Sequence, residues 1–405
     1  MVDALVKAGA IRSDSVRRAF LAESRERYVS TVADRSADGV ATRRAVGLEE
    51  VYRAEAALVT LTDGRGVPIS SSSAPSIMAP MLEALDLRPG LRVLEVGAGT
   101  GYNAALLSRL VGDGGRVVSV DVDAAIARAA RRALASAGLR VRVVAGDGRR
   151  GWPPGASFDR IIVTASADTV HRAWRDQLAD GGVIVLPFRF HAGLGPQAVV
   201  ALRRDGAVLR STRMIPGGFM ALRGPGEPDS PVSAGTQLNA AAASGGSPRT
   251  LAWLMGDCLA RLSASDQQRL LAIVLGRPER RRTMAGAAAA GLVMFLTLHP
   301  RGDTVQLNVA GRYGAGVVGP RGSGFAAVTR RPPAKLAHVE HWGDPRAGAR
   351  LDSLLAEWAS LGRPDLDALR MTAACDGERP AGRPWRRLDT AEAVVTLSWD
   401  AGSGR

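Results

Sequence analysis

Between Leu91 and Pro187, short apolar runs alternate with segments whose apolar positions recur every three or four residues. Arg92–Val96, Arg116–Asp121, Arg140–Ala145, Phe158–Val163 and Val183–Pro187 read as strands. Tyr102–Leu110, Ala124–Ala137 and Val170–Leu178 read as the helices between them, with Gly138 and Asp180-Gly181-Gly182 as stops. Strands and helices alternating at this spacing predict an α/β fold with a doubly wound, mostly parallel sheet. Ahead of it, Val2–Ala22 is helical in pattern, and Ser13 or Asp14 is placed to cap its second helix. Residues 30–70 carry weak periodicity. Ser70–Ser73 read as a polar loop entering a helix over Ile77–Leu85.

The pattern breaks at Arg223–Arg249, where Gly, Pro, Ser and Ala dominate, which predicts a linker or long surface loop. Beyond it, helices are expected near Leu251–Leu262, Asp266–Val274 and Leu351–Leu361. Strands are expected near Leu292–Leu298, Gln306–Val309 and Ala393–Leu397. The chain thus divides into a domain over 1–224, a linker over 225–250 and an additional C-terminal α+β domain over 251–405.

Composition narrows the function classes. With 46% apolar and 23% charged residues, the 405-residue chain has the makeup of a globular protein and not of a disordered one. The apolar run Ala285–Leu298 is shorter than the ~20 residues that span a bilayer, and Met1–Ala10 lacks the apolar core of an export signal. A cytoplasmic protein with no membrane partner is expected. The net charge of +14 invites a nucleic-acid reading, yet the arginines are scattered and aromatics are only 4%. Nucleic acid is therefore not the expected partner, although a basic surface attracts acidic ones. Two cysteines, Cys258 and Cys375, cannot build a disulfide framework and read as buried thiols. His338-Val339-Glu340-His341 lacks the i, i+4 histidines of a zinc helix, so no metal is expected.

The chemistry lies at the strand ends. Val93-Leu94-Glu95-Val96 runs into Gly97-Ala98-Gly99-Thr100-Gly101-Tyr102 and then a helix. Glycines let backbone amides approach a ligand, and a helix N-terminus favours a negative group. The dinucleotide fingerprint G-x-G-x-x-G would need glycine at 102, where Tyr102 stands. The observed G-x-G-x-G spacing is typical of enzymes that use S-adenosylmethionine (SAM). Asp121 ends the next strand, where a carboxylate can accept both ribose hydroxyl protons. Gly146-Asp147-Gly148 ends the third, where an acid can reach an adenine edge.

These segments, with others, resemble the protein-L-isoaspartate O-methyltransferase family. Arg25-Glu26-Arg27-Tyr28-Val29 is similar to one family segment, and Ile69-Ser70 with Ser73-Ala74-Pro75 and Met78-Ala79 to another. Leu94–Tyr102 is close to the family's SAM motif. Gly146-Asp147-Gly148, Phe158-Asp159-Arg160-Ile161, Val163-Thr164-Ala165 and Gln177-Leu178 with Gly181-Gly182 follow in the family's order. The resemblance implies a Rossmann-like methyltransferase fold, SAM as cofactor, and a peptide or protein substrate bearing an aspartyl or isoaspartyl residue. It implies Glu95, Gly97, Ala98, Gly99, Thr100, Gly101, Tyr102, Asp121, Asp147 and Gly148 as cofactor-binding residues, and Ser73 in the active site.

The chain continues some 180 residues past the usual end of the repair enzymes. In this it resembles long forms found in biosynthetic clusters for ribosomal peptides such as lanthipeptides and graspetides. Those methylate an ordinary aspartate, whose ester collapses to an aspartimide. Ser70–Ser72, intervening after Ile69, read as a lengthened substrate loop. Residues 251–405 are expected to recognise substrate, and a chain ending at Gly224 is expected to keep cofactor binding if it folds.

Overall fold

A computed structural model describes residues 1–35, 40–63, 67–190, 196–226, 237–244, 247–284, 289–331, 337–375 and 384–400. Its centre is a ten-stranded sheet. From one edge the order is Arg386–Asp389, Val394–Trp399, Leu369–Ala374, Val208–Pro216, Gln197–Asp205, Leu178–Arg189, Phe158–Val163, Arg92–Val96, Arg116–Asp121 and Val141–Ala145. The last five in that order pair in parallel, and every other pairing is antiparallel. The Rossmann-like fold is therefore present, but only half of this sheet is parallel. The inner parallel strands are buried on both faces, which explains their near-continuous apolar runs, whereas the edge strand Val141–Ala145 buries only Val143 fully.

Alternation of side chains across the pleat divides the interior in two. Val93, Val117, Val143 and Ile162 face the helices Pro75–Ala84, Tyr102–Val111 and Ala124–Ser136, over which Leu5, Val16 and Phe20 of the N-terminal helices close. Ser13 caps the second of these, accepting from the Val16 amide at 3.3 Å. Leu94, Val96, Val118, Val120 and Ile161 face the other way. There they join Trp174, Phe188 and Val200, but also Met294, Leu298, Leu369, Met371, Val395 and Leu397 from the C-terminal third. The expected boundary near residue 250 is thus not a boundary of the sheet or of its core. A fragment ending at Gly224 lacks part of both.

A second large sheet is seven-stranded and antiparallel, ordered 237–244, 247–255, 304–309, 312–318, 324–330, 337–343 and 280–284, and two antiparallel pairs, Thr31–Arg35 with Ala41–Ala45 and Leu58–Thr62 with Pro68–Ser72, stand apart from both. Helix Ala264–Leu275 packs on one face, and Ala289–Thr297 with Pro345–Ser360 on the other.

Four local expectations fail here. The linker over 225–250 contains an antiparallel pair, 237–244 with 247–255; its residues 227–236 and 245–246 lie outside the described residues. Leu251–Leu262 is not a helix. It completes that second strand to Met255 and, after Gly256, forms a 3-10 turn over Asp257–Arg261. The apolar run expected as a strand at Leu292–Leu298 is a helix, Ala289–Thr297. Periodicity cannot separate the two in a run apolar on every side. Met294 and Leu298 enter the core of the large sheet while Leu292, Phe295 and Leu296 enter that of the small one, so the helix joins both. Finally, Ser70–Ser72 are not a lengthened loop. They belong to strand Pro68–Ser72, paired with Leu58–Thr62, and Ser70 and Ser72 are buried. Among the described residues, no helix is long and apolar enough to cross a membrane. Both cysteines are buried, and burial pushes the Cys258 thiol up to about 12.

Candidate active site

The glycine loop leaves strand Arg92–Val96 at the sheet's C-terminal edge. Gly97, Gly99 and Gly101 have φ of 100°, 51° and 88°, a region that side-chain-bearing residues rarely adopt. A Cβ on Gly97 would stand 2.3 Å from Thr164 Oγ1. That hydroxyl donates to the carbonyls of Gly97, at 2.7 Å, and Val96, at 3.1 Å. A Cβ on Gly99 would stand 3.2 Å from the Ser71 carbonyl, so the serine strand passes directly over the loop. Between them lies a cavity of about 690 Å³, within the range of small-molecule sites.

Gly97, Ala98, Gly99, Thr100, Tyr102, Asp121, Gly148 and Ser73 all line this cavity. Asp121 also tethers the loop. Its Oδ2 accepts from the Gly99 amide at 3.0 Å and its Oδ1 from the Asp123 amide at 3.1 Å. Burial raises its pKa, against the pull of those amides. Tyr102 starts the helix after the loop, and its ring packs between Phe20 and Tyr28. Left-handed backbone at the wall, a helix N-terminus and a carboxylate at the next strand end together suit SAM. They match its carboxylate, methionine backbone and ribose by charge and donor type.

Three residues expected on the wall are elsewhere. Gly101 caps the helix Tyr102–Val111 from beneath, where a Cβ would lie 3.4 Å from Ala130. Glu95 is wholly buried under the loop, bonded by the Asn103 amide at 2.8 Å and the Ser119 hydroxyl. Asp147 turns its carboxylate to Arg149, whose Nη2 lies at 2.8 Å and whose backbone amide caps onto it at 3.0 Å. Burial would raise the Asp147 pKa, but those Arg149 bonds hold it below the usual range. Strand-end position alone could not reveal that an arginine two residues on would claim this acid. Asp147 lines a second cavity, of about 800 Å³, which adjoins the first at Arg189 and Ala221–Arg223.

Arg25, which the sequence placed in a family-like segment without a role, is wholly buried. Its guanidinium donates to the carbonyls of Val51 (2.7 Å), Ala56 (3.2 Å), Ser72 (3.2 Å) and Ser73 (3.0 Å), and to the Ser72 hydroxyl (3.2 Å). Burial lowers its pKa to about 10. The residue fastens the serine strand over the cavity. The segment resemblance marked the residue but not this role, because carbonyl partners leave no side-chain pattern.

Two outcomes follow from this geometry. Asp121→Ala removes both a ribose acceptor and the tether of the loop. SAM affinity should fall by ~1.5–3 kcal/mol, read by calorimetric titration. Unchanged affinity would remove Asp121 from the cofactor site. Burial also raises the Glu95 pKa to about 7 from 4.5. The folded chain therefore holds a proton there that the unfolded chain loses first. Glu95's contribution is complete below pH 4.5 and is lost as pH rises through about 7. Glu95→Gln, a neutral mimic, should flatten the fall of melting temperature over this window. An identical pH profile in both proteins would rule that out.

The chain matches the family model described as "Protein-L-isoaspartate(D-aspartate) O-methyltransferase (PCMT)" over residues 1–216. It is 45% identical over 164 residues to a protein-L-isoaspartate O-methyltransferase of Methylorubrum populi, covering 40% of this chain and 74% of that protein. To the same-named protein of Hyperthermus butylicus it is 37% identical over 219 residues, covering 51% and 81%. A solved structure titled protein-L-isoaspartate O-methyltransferase aligns over 92% of this chain and 95% of its own, at 25% identity and a TM-score of 0.47. With the glycine loop, Asp121 and Ser73 around one cavity, this chain belongs to the protein-L-isoaspartate O-methyltransferase family of SAM-dependent carboxyl methyltransferases.

Proposed function

We propose that this chain methylates the free carboxylate of an L-isoaspartyl residue in a protein or peptide. The observation that carries the reading is that Ser73, at the end of the serine strand, lines the same cavity as the glycine loop and Asp121. When bound, SAM supplies a methyl group on a positively charged sulfur. A substrate carboxylate oxygen forms the new bond to that carbon as the carbon–sulfur bond breaks, leaving a neutral thioether. No proton is transferred, since a carboxylate with a reference pKa near ~4 is already ionised at neutral pH. The chain's own work is to align and desolvate the nucleophile. Arg25 holds the main chain of Ser72 and Ser73, and Ser73, lining the cavity, would donate to the substrate.

Ser73→Ala should lower kcat/KM on an isoaspartyl peptide by roughly threefold to tenfold, the effect of one hydrogen bond, with SAM affinity unchanged. The assay is methyl-ester formation by mass spectrometry. Failure of the unaltered protein to methylate any isoaspartyl peptide while binding SAM would overturn the reading.

One observation favours a second reading, methylation of an ordinary aspartate in a modified ribosomal peptide. The second cavity is walled partly by Ala391 and Glu392 from the turn between the two C-terminal strands, which extends the site beyond a single residue. Residues 251–405 would then help select the peptide. The signature is strong turnover of one cognate aspartate, followed by loss of methanol to an aspartimide, with weak turnover of generic isoaspartyl peptides.

A further inference from the structure

The two cavities meet at Arg189, which lines both. It is the last residue of strand Leu178–Arg189 and only 6% exposed. Its backbone is fixed on both sides: its amide donates to the Ala167 carbonyl at 2.8 Å, and it stands in register with Gln197 of the neighbouring strand. The guanidinium is incompletely used. Nη2 meets Asp168 Oδ2 at 3.1 Å, while Nε is buried with no hydrogen-bond partner among the described residues. A buried guanidinium donor without an acceptor is costly, and native proteins rarely retain one. Asp168 is itself half exposed and engages the other end of the fork. A guanidinium presents its donors in a planar fork that matches a carboxylate, and here one end of that fork is already tied to Asp168.

We propose that Arg189 is a specificity-determining residue for the substrate, receiving the carboxylate of an acidic side chain adjacent in sequence to the methyl-accepting residue. This deepens the function proposed above and rests on it. The acceptor would occupy the first cavity near Ser73, and its neighbour would cross the junction into the second. Arg189 then selects peptides in which Asp or Glu flanks the reacting residue. An aliphatic residue at this junction would provide no such preference.

The test measures peptide binding to the full chain loaded with S-adenosylhomocysteine, so affinity is read whether or not the peptide is methylated. The peptides carry one isoaspartyl residue, flanked on either side by Glu or by its neutral isostere Gln, each with a free or an amidated C-terminus. Glu at one flank should bind about tenfold tighter than Gln, the effect of one charge-assisted hydrogen-bonded pair. Arg189→Gln should abolish the difference while leaving SAM affinity unchanged. If that variant does not fold, Asp168→Asn remains: releasing Nη2 should tighten the Glu peptide and not the Gln peptide, an effect a merely structural role would not produce. Equal affinity for Glu and Gln peptides at both flanks would overturn the proposal. So would a preference that survives Arg189→Gln, one that follows the free C-terminus, or no peptide binding at all. Retained Glu preference without methylation counts against the proposed function and leaves the subsite standing.

Discussion

A chain ending at Gly224 should fail to give soluble, cooperatively folded protein, although it contains the whole glycine loop, Asp121 and Ser73. The cut removes strand Leu369–Ala374, which pairs with the Val208–Pro216 strand through Val208, Leu209 and Arg210. It leaves a new sheet edge in the middle of a buried surface, a template for aggregation. It also strips Met294, Leu298, Leu369, Met371, Val395 and Leu397 from the core they share with Val170, Trp174, Phe188 and Val200. Burying one such side chain is worth roughly 1.5–3 kcal/mol, so the loss is on the order of 10 kcal/mol. That rivals the ~5–15 kcal/mol net stability of a typical domain. Polar ties go with it: His171 Nδ1 to Glu392 at 2.7 Å, and Thr169 to Thr390 at 2.7 Å. The measurement is expression of residues 1–224, followed by thermal unfolding and titration with SAM. A soluble fragment with one sharp transition and full-length SAM affinity would show that the C-terminal strands are dispensable.

Gly97→Ala is the substitution expected to hurt cofactor binding most, with at least about a hundredfold loss of SAM affinity. Two separate terms act. At φ 100°, a side chain strains the backbone whatever the space around it. The new methyl would also stand 2.3 Å from Thr164 Oγ1, which cannot retreat without releasing the Val96 and Gly97 carbonyls. The loop itself must move, and with it the cavity wall. Calorimetric titration measures the loss, and thermal unfolding separates it from global instability. Adding Thr164→Ala should restore only the steric part, because φ is unchanged. Full SAM affinity in the double variant would mean that backbone strain at Gly97 is negligible.

Many arginines are engaged within the fold: Arg25 with carbonyls, Arg149 with Asp147, Arg312 with buried Glu340, and Arg350 with Asp303. Counting charges in a sequence treats each as a free surface charge. Burial and pairing decide how many remain so.

The catalytic half was legible in the linear pattern. Parallel strands buried on both faces must be apolar runs, crossover helices must be amphipathic, and positive φ demands glycine at Gly97, Gly99 and Gly101. These are local requirements, and each leaves a local signature. Asp121 was legible for the same reason, as an acid at a strand end beside that loop. Contacts that leave no period in the sequence, many of them between distant segments, settled the rest. Leu292–Leu298 is apolar on every side because it joins two cores, so its helical period carries no polar contrast. Ser70–Ser72 look like a loop because small polar side chains give no apolar alternation, although their strand pairs with the neighbouring Leu58–Thr62. Asp147 was lost to Arg149, Arg25 was gained through carbonyls of Val51, Ala56, Ser72 and Ser73, and Arg189 acquired its place where two cavities meet. Leu369–Ala374 joined a sheet whose first strand, Arg92–Val96, lies far earlier in the chain. Arg25, Arg189 and Leu369–Ala374 depend on which distant segments touch, and a linear pattern records only what one segment requires of itself.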